Sequence, residues 1–163
     1  PKQLEDNNFI HMFFGILHRY SVPTSLVEVE ITENVLLENQ EDNISVLHTL
    51  HDAGIRISLD DFGTGYSSLN YLTYLPVDKV KLDKSLKDKF VNMDNPQVLT
   101  GIIGMSHGLD LEVVAEGVEN YEEWDKLTGA GCDYLQGYLF SRPVPAQEVN
   151  ELFGQVFKVK QDV

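Results

Sequence analysis

The stretch Ser58-Leu59-Asp60-Asp61-Phe62-Gly63-Thr64-Gly65-Tyr66-Ser67-Ser68-Leu69 decides how this chain is read. The alternating apolar run that leads into it, Ile55 to Leu59, predicts a strand. That strand ends in two adjacent carboxylates, and a glycine-punctuated loop follows at once. Neighbouring aspartates at a strand end repel each other unless positive charge sits between them, and a divalent metal ion is the usual solution. Taken alone, the pair also fits an acidic surface turn in which Gly63 and Gly65 supply positive φ.

Outward from this stretch one pattern repeats. Phe9, Met12, Phe13, Ile16 and Leu17 recur at helical spacing until Val22-Pro23. Leu26 to Ile31 reads as a strand, with Val27, Val29 and Ile31 alternating against Glu28 and Glu30. Residues 43–53 form a helix with Ile44, Leu47 and Leu50 on one face and Gly54 as cap. A strand at 55–60, a short helical segment near 67–73 and a strand from Val77 to Leu82 follow. The pattern continues with a helix from Pro96 to His107, a strand from Leu111 to Ala115 and a helix over 120–129. A fifth strand starts at Tyr134-Leu135, and a last helix is predicted over 145–153. Strands alternating with helices mean βα units and a mostly parallel sheet.

Glu30, Asp60 with Asp61, Lys81, Glu116 and Gln136 fall at or near the C-terminal ends of five different strands. That end carries the active site of a (β/α)₈ barrel. An open doubly wound sheet also gathers its site there, but more often shows a glycine-rich phosphate loop after its first strand, and none is seen. A barrel needs eight units and about 250 residues. Five units in 163 residues therefore read as the C-terminal part of one.

The formal net charge of −14 argues against a nucleic-acid polymer as partner, though not against a small phosphorylated ligand whose charge metal ions offset. A lone cysteine, Cys132, fits a reducing compartment, so a cytoplasmic location is expected. No apolar run approaches a membrane span and no signal-peptide pattern is present, so no membrane contact is expected from this segment.

Five motifs now stand in order: Glu30-Ile31-Thr32-Glu33, the Asp60–Leu69 run, Lys81-Leu82-Asp83, Ala115-Glu116-Gly117-Val118-Glu119 and Gln136-Gly137-Tyr138. Together they resemble the bacterial EAL domain over nearly the whole chain. The resemblance implies an α/β fold, a modified TIM-type (β/α)₈ barrel, with residues 1–163 forming a single partial domain that holds the last five βα units. It implies hydrolysis of cyclic di-GMP to linear pGpG with Mg²⁺ or Mn²⁺. The namesake Glu-Ala-Leu segment lies upstream in the family and is not in this chain. Neither is an asparagine expected just before Pro1-Lys2-Gln3-Leu4, which leaves the first metal site incomplete.

Residue by residue, the resemblance assigns Glu30 and Asp60 to the first metal. Asp60 bridges to a second metal, also held by Asp61 and assisted by Glu116. Lys81 positions or helps activate the attacking water, and Gln136 orders that water or the metal shell. Glu33, Glu119 and Asp83 are supporting residues, with Glu33 tying down the loop 62–69. That loop implies a homodimer formed through it and its neighbours. Leu86 departs from the family's usual phenylalanine.

The chemistry suits these residue types. Phosphodiester hydrolysis needs an activated water, a neutralised phosphate and a stabilised leaving alkoxide, and two metals about 4 Å apart supply all three. Oxygen-only ligands match Mg²⁺ or Mn²⁺ rather than zinc. Lys81 among carboxylates keeps its charge and orients water, leaving base work to metal-activated water with Glu116 assisting.

Each residue alone has a plainer reading. Glu28 and Glu30 fit an edge strand's solvent face, Lys81 a charge satisfied by Asp83, and Glu119 a helix N-terminal carboxylate. Gln136 could satisfy backbone groups, and Arg142 either touches a substrate phosphate or is structural. His48 and His51 read as solvated, Cys132 as a small buried hydrophobe and Trp124 as helix packing. Ser67 and Ser68 lack a histidine in plausible sequence context for nucleophilic catalysis. Two functions follow for the intact protein: a cyclic di-GMP phosphodiesterase, or a catalytically silent EAL-like receptor for cyclic di-GMP or a protein. The partial barrel alone is expected to turn over little or not at all and to self-associate.

Overall fold

Five parallel strands stand side by side in chain order: β1 (Glu28–Thr32), β2 (Arg56–Phe62), β3 (Lys79–Leu82), β4 (Glu112–Ala115) and β5 (Tyr134–Leu135). A doubly wound sheet reverses its order at a switch point. Here every crossover steps the same way, which is how the wall of a (β/α)₈ barrel is built. The architecture is of the expected class, a barrel-like α/β fold with a parallel sheet of five strands. The computed structural model describes residues 4, 6, 8–32, 40–63, 72–92 and 97–157. The helices are α1 (Phe9–Arg19), α2 (Gln40–Asp52), α3 (Lys84–Val91), α4 (Gln97–His107) and α5 (Tyr121–Gly129).

Alternation along the strands separates two faces of opposite chemistry. One face carries Ile31, Ile57, Leu59, Val80, Leu82, Val113 and Ala115, all buried. Leu47 and Leu50 of α2, Leu99 and Ile103 of α4, and Leu127 of α5 belong to the same core. Each such side chain contributes roughly 1.5–3 kcal/mol by leaving water. The register places Glu28, Glu30, Arg56, Ser58, Asp60, Lys79, Lys81, Glu112 and Val114 on the other, inner face. The helices thus cover the aliphatic face and leave a polar interior.

β2 is bulged at its end. Leu59 pairs with Val80 but Phe62 pairs with Leu82, so Asp60 and Asp61 together oppose Lys81. Asp61 takes up the extra residue with φ 58°, a conformation aspartate tolerates better than most residues. The sharp turn continues through Gly63 (φ 89°), where a Cβ would come within 2.4 Å of Leu86 Cδ2. The leucine that departs from the family pattern is therefore packed directly on the turn after the aspartate pair.

Two elements differ from expectation. Helix α3 was not anticipated. Asp83 caps it by accepting a 2.9 Å bond from the Ser85 amide, so Lys81-Leu82-Asp83 is both a strand end and a helix start. The helix expected over 145–153 is instead a series of turns around a 3₁₀ segment, Val149–Glu151. Bonds from Glu148 N to Pro145 O and from Leu152 N to Val149 O span three residues, and Gly154 (φ 80°) follows too soon for an α-helical nucleus to propagate. Trp124 packs as expected, between Tyr121 and Phe140 at centroid distances of 5.8 and 5.5 Å. The expected helical segment near 67–73 lies mostly outside the described residues, as do Glu33 and residues 64–69 of the loop 62–69.

Candidate active site

The inner face carries two ionic layers with different balances. In the lower layer, toward the strand N-termini, Lys79 Nζ lies 2.6 Å from Glu28 Oε2 and Arg56 pairs with Glu112. Tyr134 donates its hydroxyl to Glu112 Oε1 at 3.1 Å, and Lys79 sits 5.0 Å from the Tyr134 ring centre. Two cations meet two carboxylates, so this layer is neutral.

The upper layer is not. Lys81 Nζ lies 2.7 Å from Glu116 Oε1, 2.9 Å from Glu30 Oε1 and 3.1 Å from Asp60 Oδ1, drawing in carboxylates from β1, β2 and the end of β4. The Lys81 side chain is only 7% exposed. Burial alone would lower its pKa, but the hydrogen bonds with Glu116 and Glu30 and the close Asp60 carboxylate outweigh it and hold the ammonium above the ordinary lysine range. Three carboxylates share one positive charge, leaving a surplus of two negatives at the C-terminal rim, with Asp61 beside them.

That surplus meets the charge and donor requirements of a hard divalent cation. Asp60 Oδ1 adds a further sign. It is buried, and although Lys81 Nζ is 3.1 Å away, the approach is off line and no aligned hydrogen bond reaches it. Ser58 Oγ, below it on the same face, is likewise buried without a hydrogen bond. Among the described residues no three His, Cys, Asp or Glu side chains are grouped to hold a metal as they stand, since the ammonium of Lys81 occupies the middle. The residues fit such an ion in chemistry and charge, and a lysine now fills its electrostatic place.

The remaining candidates are dispersed. Glu119 is exposed and pairs with Lys84, which lowers its carboxyl pKa by hydrogen bonding. Asp83 is lowered by its bonds with Ser85 and serves as the α3 cap. Gln136 is fixed through its backbone, its N–H donating to Ala115 O at 2.9 Å and its carbonyl accepting from Val118 N at 3.0 Å. The residue lines a cavity of about 310 Å³ together with Arg142, whose guanidinium lies 4.6 Å from the Tyr138 ring centre. Glu33 is outside the described residues. Of the residues expected from the sequence, the structure brings together Glu30, Asp60, Lys81 and Glu116. The lower ionic layer was not foreseen, although charged residues alternating with Val29, Ile57 and Val113 carried a signal for it.

The EAL domain family matches residues 1–143. The signaling protein YkoW of Bacillus subtilis is 42% identical over 151 residues, covering 92% of this chain and 19% of YkoW. The bifunctional diguanylate cyclase/cyclic di-GMP phosphodiesterase MucR of Pseudomonas aeruginosa is 37% identical over 134 residues, 82% of this chain and 20% of its own. The MucR phosphodiesterase solved in complex with c-di-GMP superposes with a TM-score of 0.82 at 34% identity, over 90% of this chain and 60% of that one. Klebsiella pneumoniae BlrP1, solved with manganese and cyclic di-GMP at pH 9.0, superposes with a TM-score of 0.77 at 31% identity, over 86% of this chain and 36% of its own. The chain spans about a fifth of the length of these curated relatives.

Proposed function

The chain belongs to the EAL domain family, and from that premise we propose that its strand-end rim hydrolyses cyclic di-GMP to linear pGpG with Mg²⁺ or Mn²⁺. The observation that carries the reading is the unbalanced upper layer, where Glu30, Asp60 and Glu116 share the single ammonium of Lys81. A cyclic dinucleotide with two singly charged phosphodiesters has no reason to approach that surface unless divalent cations intervene. Glu30, Asp60, Asp61 and Glu116 are the residues to hold them, and the ions would neutralise the phosphate and lower the pKa of water.

The residues themselves divide the work. Lys81, held as an ammonium, donates hydrogen bonds and cannot accept the proton of the attacking water at neutral pH. Glu116, whose side chain is 22% exposed, is the carboxylate placed to accept it. Water attacks phosphorus, the bond from phosphorus to the 3′ oxygen breaks, and that oxygen takes a proton as the ring opens to a 5′-phosphate. Gln136 and Arg142 share one cavity wall beside the rim, where Gln136 orders water and Arg142 meets a substrate phosphate. Glu33, Glu119 and Asp83 support the surrounding loops.

We read residues 1–163 as one portion of a single such domain, acting in the cytoplasm and pairing with a second copy through the loop 62–69 and its neighbours. Among the described residues no helix is long and apolar enough to cross a membrane. The chain alone is expected to be weakly active or inactive. The test is turnover of cyclic di-GMP by the full-length protein with Mn²⁺ and with EDTA, products resolved by ion exchange. Metal-dependent pGpG that falls a hundredfold or more in Glu116→Ala is expected. Tight binding without product would overturn hydrolysis and assign a receptor.

A further inference from the structure

Lys87 is a lysine whose side chain is fully buried, on a helix that carries no predicted site residue. Its Nζ donates to Gly117 O at 2.9 Å and to Glu123 Oε2 at 2.9 Å, and lies 2.6 Å from Asp88 Oδ1. Burying an ammonium is costly unless its donors are satisfied. What it satisfies is specific. Gly117 follows Glu116 directly and turns the chain with φ 65°. Glu123 Oε2 also accepts the Glu119 amide at 2.9 Å, so one carboxylate oxygen joins Lys87 to the far side of the same turn.

The turn from Glu116 to Glu119 is thereby held from several directions. Lys84 pairs with Glu119, and its methylenes lie where a Cβ at Gly117 would come within 2.8 Å. Val118 N donates to Gln136 O at 3.0 Å on the opposite side. From the α3 side, Lys87 reaches the carbonyl of Gly117, the residue that follows Glu116. The arrangement fixes the backbone from which the Glu116 carboxylate reaches Lys81 Nζ at 2.7 Å.

We infer that Lys87 is a positioning residue for Glu116, a buried ammonium that sets the β4–α5 turn and through it the carboxylate of the catalytic rim. The inference rests on the phosphodiesterase reading for its kinetic consequence but not for its structural one. Removing such support from a carboxylate at a metal site costs 10- to 100-fold in activity or metal affinity.

The experiment compares Lys87→Met with Lys126→Met in the full-length protein. Lys126 Nζ bonds Val91 O at 3.0 Å and so also joins α5 to α3, but it does not touch the turn. Lys87→Met is expected to lower kcat per folded site at least 10-fold, leaving KM for cyclic di-GMP within about twofold. Lys126→Met should lower the melting temperature with kcat retained. Hydrogen exchange across residues 115–121 should rise in Lys87→Met and not in Lys126→Met. This arm reads the tether even if the protein hydrolyses nothing, so a failed function and a failed inference are distinguishable. Should Lys87→Met not fold, Glu123→Gln removes the charge partner while keeping an acceptor, and should produce the same pattern at smaller amplitude. Unchanged exchange across the turn, or equal kinetic effects in both lysine variants, overturns the inference.

Discussion

Replacing Lys81 with methionine removes the ammonium shared by Glu30, Asp60 and Glu116 while keeping most of its alkyl stem in place. Glu116 and Asp60 are sheltered, with side chains 22% and 26% exposed, whereas Glu30 is 52% exposed and its pair is screened by water. A charge-assisted bond is worth about 1.5–3 kcal/mol. Breaking a buried ionic group by removing one partner costs about 3–5 kcal/mol. Discounting the Glu30 contact, a loss of about 3 kcal/mol is expected, or about 6–12 °C in melting temperature for a domain of this size. The pH dependence is diagnostic. The Lys81 pKa is raised in the folded state, so its stabilisation is complete below the unfolded value of about 10.4 and is lost only as pH rises through the higher folded value. Thermal melts of the wild type and Lys81→Met should therefore differ by a constant amount from pH 6 to pH 9. A difference below about 1 kcal/mol, or one that fades between pH 7 and 9, would refute the assignment of Lys81 as a permanent ammonium.

Other perturbations test separate joints of the structure. Burial acts to raise the Asp133 carboxyl, but its bonds to His107 and the Val113 amide outweigh this and lower it. Asp133→Asn should thus melt below wild type at neutral pH, and the gap should narrow as pH falls from the unfolded value of about 4 through the lower folded one; a gap that holds constant or widens throughout acidification contradicts the linkage. Burial pushes the Cys132 thiol up to about 11, with Sγ 3.3 Å from Val113 O and 3.2 Å from Tyr134 O. A disulfide reagent at pH 8 should react with it at least 10-fold more slowly in the native protein than in urea, and equal rates would place the thiol in solvent. Gly137→Ala would set a Cβ 2.1 Å from Val118 O and 2.2 Å from its N, backbone that has no free rotation to yield. A loss of about 3 kcal/mol in urea unfolding is expected, and a neutral substitution would contradict the packing of these two loops.

Much of the site was legible before the fold because carboxylates at strand ends leave a plain mark. Asp60-Asp61 after Ile57 and Leu59, and Glu116 after Val113 to Ala115, each interrupt an apolar run where a side chain must face a polar interior. What stayed hidden depends on contacts across the sequence. Nothing local distinguishes Lys87 from Lys84 or Lys89, yet Lys87 is fully buried while the other two face solvent. Its partner Gly117 lies 30 residues away. The start of helix α3 is hidden in the sequence because Asp83 is at once the last residue of the Lys81-Leu82-Asp83 motif and the helix cap. The bulge that makes Asp60 and Asp61 share one opposing residue is equally a property of the β2–β3 register rather than of either strand alone.

The phosphodiesterase reading requires the surplus negative charge around Lys81 to be a divalent cation site. Calorimetric titration of Mn²⁺ into chelator-treated full-length protein tests it directly, with Asp60→Asn and Glu116→Gln as partners and circular dichroism confirming that each is folded. Saturable binding weakened 10-fold or more by either substitution is the predicted result. Binding of equal strength in the wild type and both folded variants would contradict it and place the metal elsewhere.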